Sequence, residues 1–177
     1  MYIQVCLAFE PDKKLAYAYN RAANDSLADW ILFLDTDLFI LNHRFYNICL
    51  SAISKVDSTC GWITARTNRL GPSTRIHQLD VNAPKSDDIS EHTLYSEKLY
   101  SEYGDAVGNI TNLSKQIPLS GFFILTPTKV AQSVGFRGEF LGCDNNYCND
   151  LIKLGYSTWI IPGLYFYHQY KRPWKNA

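Results

Sequence analysis

A run of five apolar residues, Trp30 to Leu34, ends abruptly in Asp35-Thr36-Asp37, and this junction constrains the fold more than any other stretch. An apolar segment with no polar face reads as a strand buried on both sides in a parallel sheet, with helices above and below it. Two carboxylates directly after such a strand fall at its carboxyl end, where open α/β sheets leave a crevice for ligands. Residues two apart in extended chain point the same way, so Asp35 and Asp37 can meet one cation or one polar ligand. A hard divalent ion, Mg2+ or Mn2+, held by one or two carboxylates plus substrate phosphates suits that pair. Alone, an Asp-x-Asp pair more often just caps a strand and opens a turn. The apolar run before it weighs against that simpler role here.

The flanking segments extend the same plan. Tyr2 to Phe9 is a short β-favouring run, and after Pro11 the residues Leu15, Ala18, Tyr19, Ala22 and Ala23 form one apolar helical face, giving a β-α-β opening. Phe45, Ile48, Cys49, Ala52, Ile53 and Val56 repeat at helical spacing before a strand expected at Trp62 to Ala65. From Leu70 to Ala83 the periodicity is lost, and Gly71, Pro72 and Pro84 punctuate the chain as loop. A surface helix is expected over Ser86 to Tyr103, stopped by Gly104. Leu119 to Leu125 reads as a strand, Thr126-Pro127 as a cap with proline at the first helical position, and Asn145 to Leu154 as a helix closed by Gly155. Ser157 to Ile161 and Leu164 to His168 read as two further short strands. The expected class is α/β, a mainly parallel mixed sheet flanked by helices, with residues 1–177 forming one domain.

Charge and cysteine usage narrow the functional classes. Seventeen Lys plus Arg balance seventeen Asp plus Glu, which removes any global electrostatic pull toward nucleic acid or acidic membranes. A local basic patch remains at Lys171, Arg172 and Lys175. Cys6, Cys49, Cys60, Cys143 and Cys148 are odd in number and form no CxxC pair, against both a disulfide framework and a structural zinc site. The start MYIQVCLAFEPD lacks a basic leader, and the longest apolar runs fall far short of the roughly 18 residues a membrane helix needs. The expected location is therefore cytoplasmic, with no transmembrane segment.

Two further clusters carry chemistry. Asp144 lies at a loop-to-helix junction, where helix capping and catalysis are equally good readings of a carboxylate. His168 ends the aromatic stretch Tyr165-Phe166-Tyr167. A lone histidine there is more often packed or surface-exposed, yet an imidazole could complete the coordination of a metal already held by Asp37.

In order along the chain, Lys14-Leu-Ala-Tyr-Ala-Tyr-Asn20, DWILFLDTD, Thr67-Asn68-Arg69, Ser120-Gly121, GCDNNYC and YHQYKR resemble the GT-A type glycosyltransferases, close to the compact family 2 members. The set spans Pro11 to Arg172, and its specificity lies in the order, since each piece alone is weak. The resemblance implies a single-domain, Rossmann-like GT-A fold and a nucleotide-sugar donor whose diphosphate is bridged by Mn2+ or Mg2+ to the acidic pair. It implies Asp37 and His168 as metal ligands, with Asp35 nearer the ribose or a metal-bound water. It also implies Lys14, Asn20, Arg69, Ser120, Gly121 and Arg172 as donor-binding positions. Asp144 matches the acidic position that, in inverting members, deprotonates the acceptor hydroxyl. The acceptor would be a glycan, a lipid-linked sugar, a protein or modified DNA. The chain departs from the pattern in carrying Cys143 where a glutamate often precedes that aspartate, and in lacking the usual nucleobase-contacting strand end.

Two other readings share parts of this pattern. A haloacid-dehalogenase-like phosphatase also opens on an apolar strand and Asp-x-Asp, with the first aspartate as covalent carrier. Against it, Leu38-Phe39 stand where glycine or valine and then threonine are expected, and a complete β-α unit precedes the motif. A non-catalytic carbohydrate-binding domain would use the Tyr and Trp residues as sugar platforms.

Overall fold

A computed structural model describes residues 1–7, 14–71, 75, 77–138 and 142–169. The chain runs β1 (Ile3–Leu7), α1 (Leu15–Asp25), β2 (Trp30–Leu34), β3 (Leu38–Ile40), α2 (Phe45–Lys55), β4 (Cys60–Thr67), α3 (Ile89–Tyr103), β5 (Gly108–Asn109), α4 (Thr111–Ser114), β6 (Phe123–Pro127), α5 (Thr128–Val134), α6 (Cys143–Lys153) and β7 (Ser157–His168). The strands form one seven-stranded sheet in the order β1-β2-β6-β4-β7-β3, with β5 added on β7.

The class is α/β, as the alternation of elements implies, but the sheet is not mainly parallel. Two pairings are parallel, β1 with β2 and β4 with β7. The other four are antiparallel. The long return from β4 through α3, β5 and α4 delivers β6 to the sheet reversed, between β2 and β4. Because β6 opposes both neighbours, β1, β2, β4 and β7 still share one direction. Their carboxyl ends therefore line one edge, and the start of the reversed β6 joins them there.

Strand β2 is buried on both faces, as its unbroken apolar run requires. Ile31 and Phe33 pack into one cluster with Tyr19 and Ala23 of α1, Ala131 of α5, and Tyr147 and Leu151 of α6. Leu32 and Leu34 face the other way, onto Ile48, Cys49 and Ala52 of α2. Strands β4 and β6 divide alike, with Trp62 and Ile124 on the first side and Ile63 and Leu125 on the second. The Trp62 indole is fully buried and donates its N–H to the Phe123 carbonyl at 2.9 Å, so its polar edge is satisfied.

Local differences from the sequence reading have physical causes. The two short strands expected after Ser157 are one strand, β7, despite Pro162-Gly163 at its middle. Against parallel β4, Ile160 pairs with Thr64 and Tyr165 with Arg66, so the proline sits in a bulge where it need not donate. Gly163 approaches the Gly104 carbonyl so closely that a Cβ there would lie 2.1 Å from its oxygen. The strand expected at Leu119 to Leu125 is shifted to Phe123–Pro127, and Pro127 takes the cap position of α5, so that helix starts one residue later than expected. Helix α6 starts two residues before the expected Asn145, from Gly142 in the left-handed region at φ +93°. Helix α3 ends at Tyr103 as expected but starts at Ile89, three residues after Ser86, because the Asp88 carboxylate takes the cap position and accepts the Ser90 N–H.

Candidate metal centre

The common edge of β1, β2, β4 and β7 brings the predicted site together. Asp35 and Asp37 follow β2 and His168 ends β7, 131 residues beyond Asp37. One ligand atom from each of Asp35, Asp37 and His168 lies within 4.8 Å of the others. His168 Nε2 stands 3.1 Å from Asp37 Oδ1 and 3.8 Å from Asp35 Oδ2. The two aspartates converge through a turn at Thr36-Asp37, not along extended chain as their spacing alone suggests. The short strand β3 makes this possible by pairing Leu38 with His168 in antiparallel register.

The backbone around the cluster is anchored from several sides. The Asp35 N–H donates to the Phe122 carbonyl at 3.1 Å, and the Gln169 N–H donates to the Asp37 carbonyl at 3.0 Å. The His168 N–H donates to Asn68 Oδ1 at 2.8 Å, and the Phe122 ring stacks near the imidazole. His168 Nδ1 lies 3.0 Å from the Arg69 carbonyl, which can only accept. That contact uses Nδ1 as the donor to the backbone and leaves Nε2 as the ring nitrogen that faces the carboxylates, the arrangement of a metal-ligating histidine held from behind.

Electrostatics separates the two aspartates. Burial, reinforced by Asp37 and Asp144 and opposed by His168, pushes the Asp35 carboxyl up to about 6. Hydrogen bonding from His168 holds Asp37 below the ordinary carboxylate range. Bringing several carboxylates together at one sheet edge is costly unless a cation joins them. Two carboxylates and an imidazole form a mixed O/N donor set of the kind that can hold a divalent metal ion. Ligands about 2.1 Å from an octahedral ion stand roughly 3 Å apart, so the residues present fit such an ion with small adjustments.

Asp144 lies beside this group, in the first turn of α6, and is not the N-cap residue. The cap residue is Gly142, which has no side chain to offer. Instead Asp144 Oδ2 accepts the Gly121 N–H at 2.7 Å and Oδ1 accepts the Asn145 N–H at 2.8 Å. Gly121 is required for this approach, since a Cβ there would lie 2.7 Å from the Asp144 Cβ. Cys143, adjacent to Asp144, is buried, and burial pushes its thiol up to about 12, so it stays protonated near neutral pH.

The chain matches no family model and no curated protein.

The other expected donor positions are distributed unevenly. Arg69 contributes its carbonyl to His168 and pairs its guanidinium with Asp87 at 3.5 Å. Ser120 and Gly121 are held at the start of β6, the Ser120 N–H and carbonyl both bonded to the Gln78 carboxamide. Asn20 serves as a brace: its carboxamide donates to the Phe136 carbonyl at 2.8 Å and accepts the Phe136 N–H at 2.7 Å, tying α1 to the segment after α5. Lys14 caps α1 with its backbone carbonyl, and its side chain is exposed. Arg172, with Lys171 and Lys175, lies outside the described residues.

Sequence reasoning missed Arg75 and Gln78. Gln78 is fully buried and also donates to Thr64 Oγ1 at 2.8 Å, so one carboxamide joins β4 to the Ser120-Gly121 turn. Their loop has no periodicity, and only a polar pair within a Gly/Pro-punctuated stretch marked it. Among the described residues, no helix is long and apolar enough to cross a membrane.

Proposed function

We propose that this protein is a divalent-metal-dependent glycosyltransferase, moving a sugar from a nucleoside-diphosphate sugar to an acceptor hydroxyl with inversion. The observation that carries the reading is the convergence of Asp35, Asp37 and His168 at the carboxyl ends of parallel-running strands, with the Asp144 carboxylate held next to them. Asp37 and His168 would hold the ion, with Asp35 as third ligand or as a partner for a coordinated water. Bound there, the ion supplies positive charge to the diphosphate as it leaves.

The chain's own groups do the rest. His168 is fixed by Arg69 and Asn68, so the ligand geometry is set before substrate arrives. Asp144 accepts the proton of the acceptor hydroxyl through a lone pair not engaged by Gly121 or Asn145. The acceptor oxygen then forms its bond to the anomeric carbon from the face opposite the leaving group. The bond from that carbon to the phosphate oxygen breaks, and its electron pair leaves with the nucleoside diphosphate.

A panel of UDP, GDP, CDP and TDP sugars with and without Mn2+, read by thermal shift and by release of nucleoside diphosphate, tests the reading. Metal-dependent stabilisation by one nucleotide class and turnover with an acceptor support it. Hydrolysis of phosphate monoesters without nucleotide preference supports the phosphatase instead. Binding of free glycan independent of metal and nucleotide supports a carbohydrate-binding domain.

A further inference from the structure

Arg75 is the most anomalous cation among the described residues. The residue is 7% exposed, and among the described residues its buried Nε and Nη1 have no hydrogen-bond partner. One contact holds the guanidinium, the donation from Nη2 to Asn145 Oδ1 at 2.6 Å at the start of α6. An arginine always carries its charge and has five N–H donors, so burying most of them unpaired is costly unless a ligand completes them. His77, two residues on, adds a third unpaired buried atom, Nε2.

The surroundings locate what would complete the guanidinium. The Arg75 backbone carbonyl accepts from Gln78 and Leu79, and Gln78 in turn holds Ser120. Ser120 leads into Gly121, whose N–H binds Asp144, and Asp144 is followed by Asn145, the Arg75 partner. The chain thus closes a ring of contacts around Arg75 and Asp144. Burial lowers the Arg75 guanidinium from its ordinary value, and Asp144 partly restores it. The Asp144 charge acts on both Asp35 and Arg75, so the carboxylate is near the metal cluster and near the guanidinium.

We propose that Arg75 anchors an anionic oxygen group, a phosphate or a carboxylate, of the acceptor, so that the acceptor hydroxyl is delivered to Asp144. This rests on the glycosyltransferase reading for the word acceptor, but the anion site itself does not. The hydroxyls of a neutral glycan can accept from Nε and Nη1 but leave the buried positive charge uncompensated. An acidic sugar or a phosphate-bearing lipid-linked sugar supplies the paired oxygens that a guanidinium fork accepts.

The test uses the full chain, stripped of divalent ions with EDTA and titrated with inorganic phosphate at constant ionic strength, read by calorimetry and thermal shift. Phosphate should bind wild type, and Arg75→Gln should weaken it at least about tenfold, the scale of losing a charge-assisted pair. Arg75→Lys, which keeps the charge but not the fork, should fall between them and serves if Arg75→Gln does not fold. In a second arm with Mn2+ and nucleoside diphosphate, Arg75→Gln should bind as wild type does. No phosphate binding by wild type, or equal binding by the Arg75 variants, overturns the anion site. Loss of nucleoside diphosphate affinity in Arg75→Gln overturns the acceptor assignment in favour of the donor's diphosphate. Failure of wild type to bind nucleoside diphosphate with Mn2+, with Arg75-dependent phosphate binding intact, overturns the glycosyltransferase reading and with it the acceptor assignment, while the anion site stands.

Discussion

Replacing Asp35 by asparagine should stabilise the metal-free protein and at the same time weaken its response to metal. The Asp35 carboxyl is pushed up to about 6 from the ordinary 3.8, chiefly by burial. A group whose folded value is raised contributes stability that is complete below about pH 4 and lost as the pH rises through about 6. Above that, the ionised carboxylate is a net cost. The raw shift corresponds to about 3 kcal/mol, but the side chain is 35% exposed, and solvent screening reduces the cost to about 1–2 kcal/mol. Asparagine has nearly the same shape and no charge to desolvate. For a chain of this size each kcal/mol moves Tm by about 2–4 °C, so Asp35→Asn should melt about 2–8 °C higher at pH 7.5 in EDTA. At pH 4 the two proteins should melt together. With Mn2+ at about 100 times its wild-type Kd, wild type should gain about 2.7 kcal/mol. A variant lacking one ligand, and so binding about tenfold more weakly, should gain about 1.4 kcal/mol less. Scanning calorimetry across pH, with and without Mn2+, reads all of these. A metal-free variant less stable than wild type at pH 7.5, or an equal Mn2+ response in the two proteins, would refute the reasoning.

Three further outcomes follow from the same geometry. Asp144→Asn keeps an acceptor for the Gly121 N–H but no base, so turnover should fall roughly 100-fold or more while Mn2+-dependent nucleoside diphosphate affinity holds, by steady-state kinetics and calorimetry. Gly121→Ala places a Cβ 2.7 Å from that of Asp144, and should cost about 1–3 kcal/mol in urea unfolding and lower turnover by displacing the carboxylate. Gly163→Ala puts a Cβ 2.1 Å from the Gly104 carbonyl oxygen, away from the site, and should lower the urea midpoint with Mn2+ affinity per folded molecule unchanged.

The sequence exposes those parts of the molecule where solvent and core make opposite demands within a few residues. Trp30 to Leu34 has no polar face, which marks a strand covered on both sides, and Asp35 and Asp37 fall where it emerges, so both are readable. His168 is readable as the polar end of an aromatic strand. Strand direction is different, because an apolar run has the same periodicity in either sense, and the reversed β6 is set by the path of α3, β5 and α4. The bulge at Pro162-Gly163 hides for a related reason: proline reads as a strand end unless its partner strand is known. Arg75 and Gln78 lie in a segment without periodicity, and their roles depend on Asn145 and Ser120, 70 and 42 residues away. Asn20 shows the converse, a polar residue on a helix that reads as a ligand contact and is occupied in bracing Phe136.

The most direct test of the central claim is a Mn2+ titration of the full chain by electron paramagnetic resonance, with and without a nucleoside diphosphate, comparing wild type with Asp37→Ala and His168→Ala. One tight Mn2+ per chain, bound more strongly when nucleoside diphosphate is present and lost in both variants while their circular dichroism is unchanged, is the predicted result. Tight Mn2+ binding that survives in both variants, or the absence of any nucleotide-linked Mn2+ site in wild type, would contradict it.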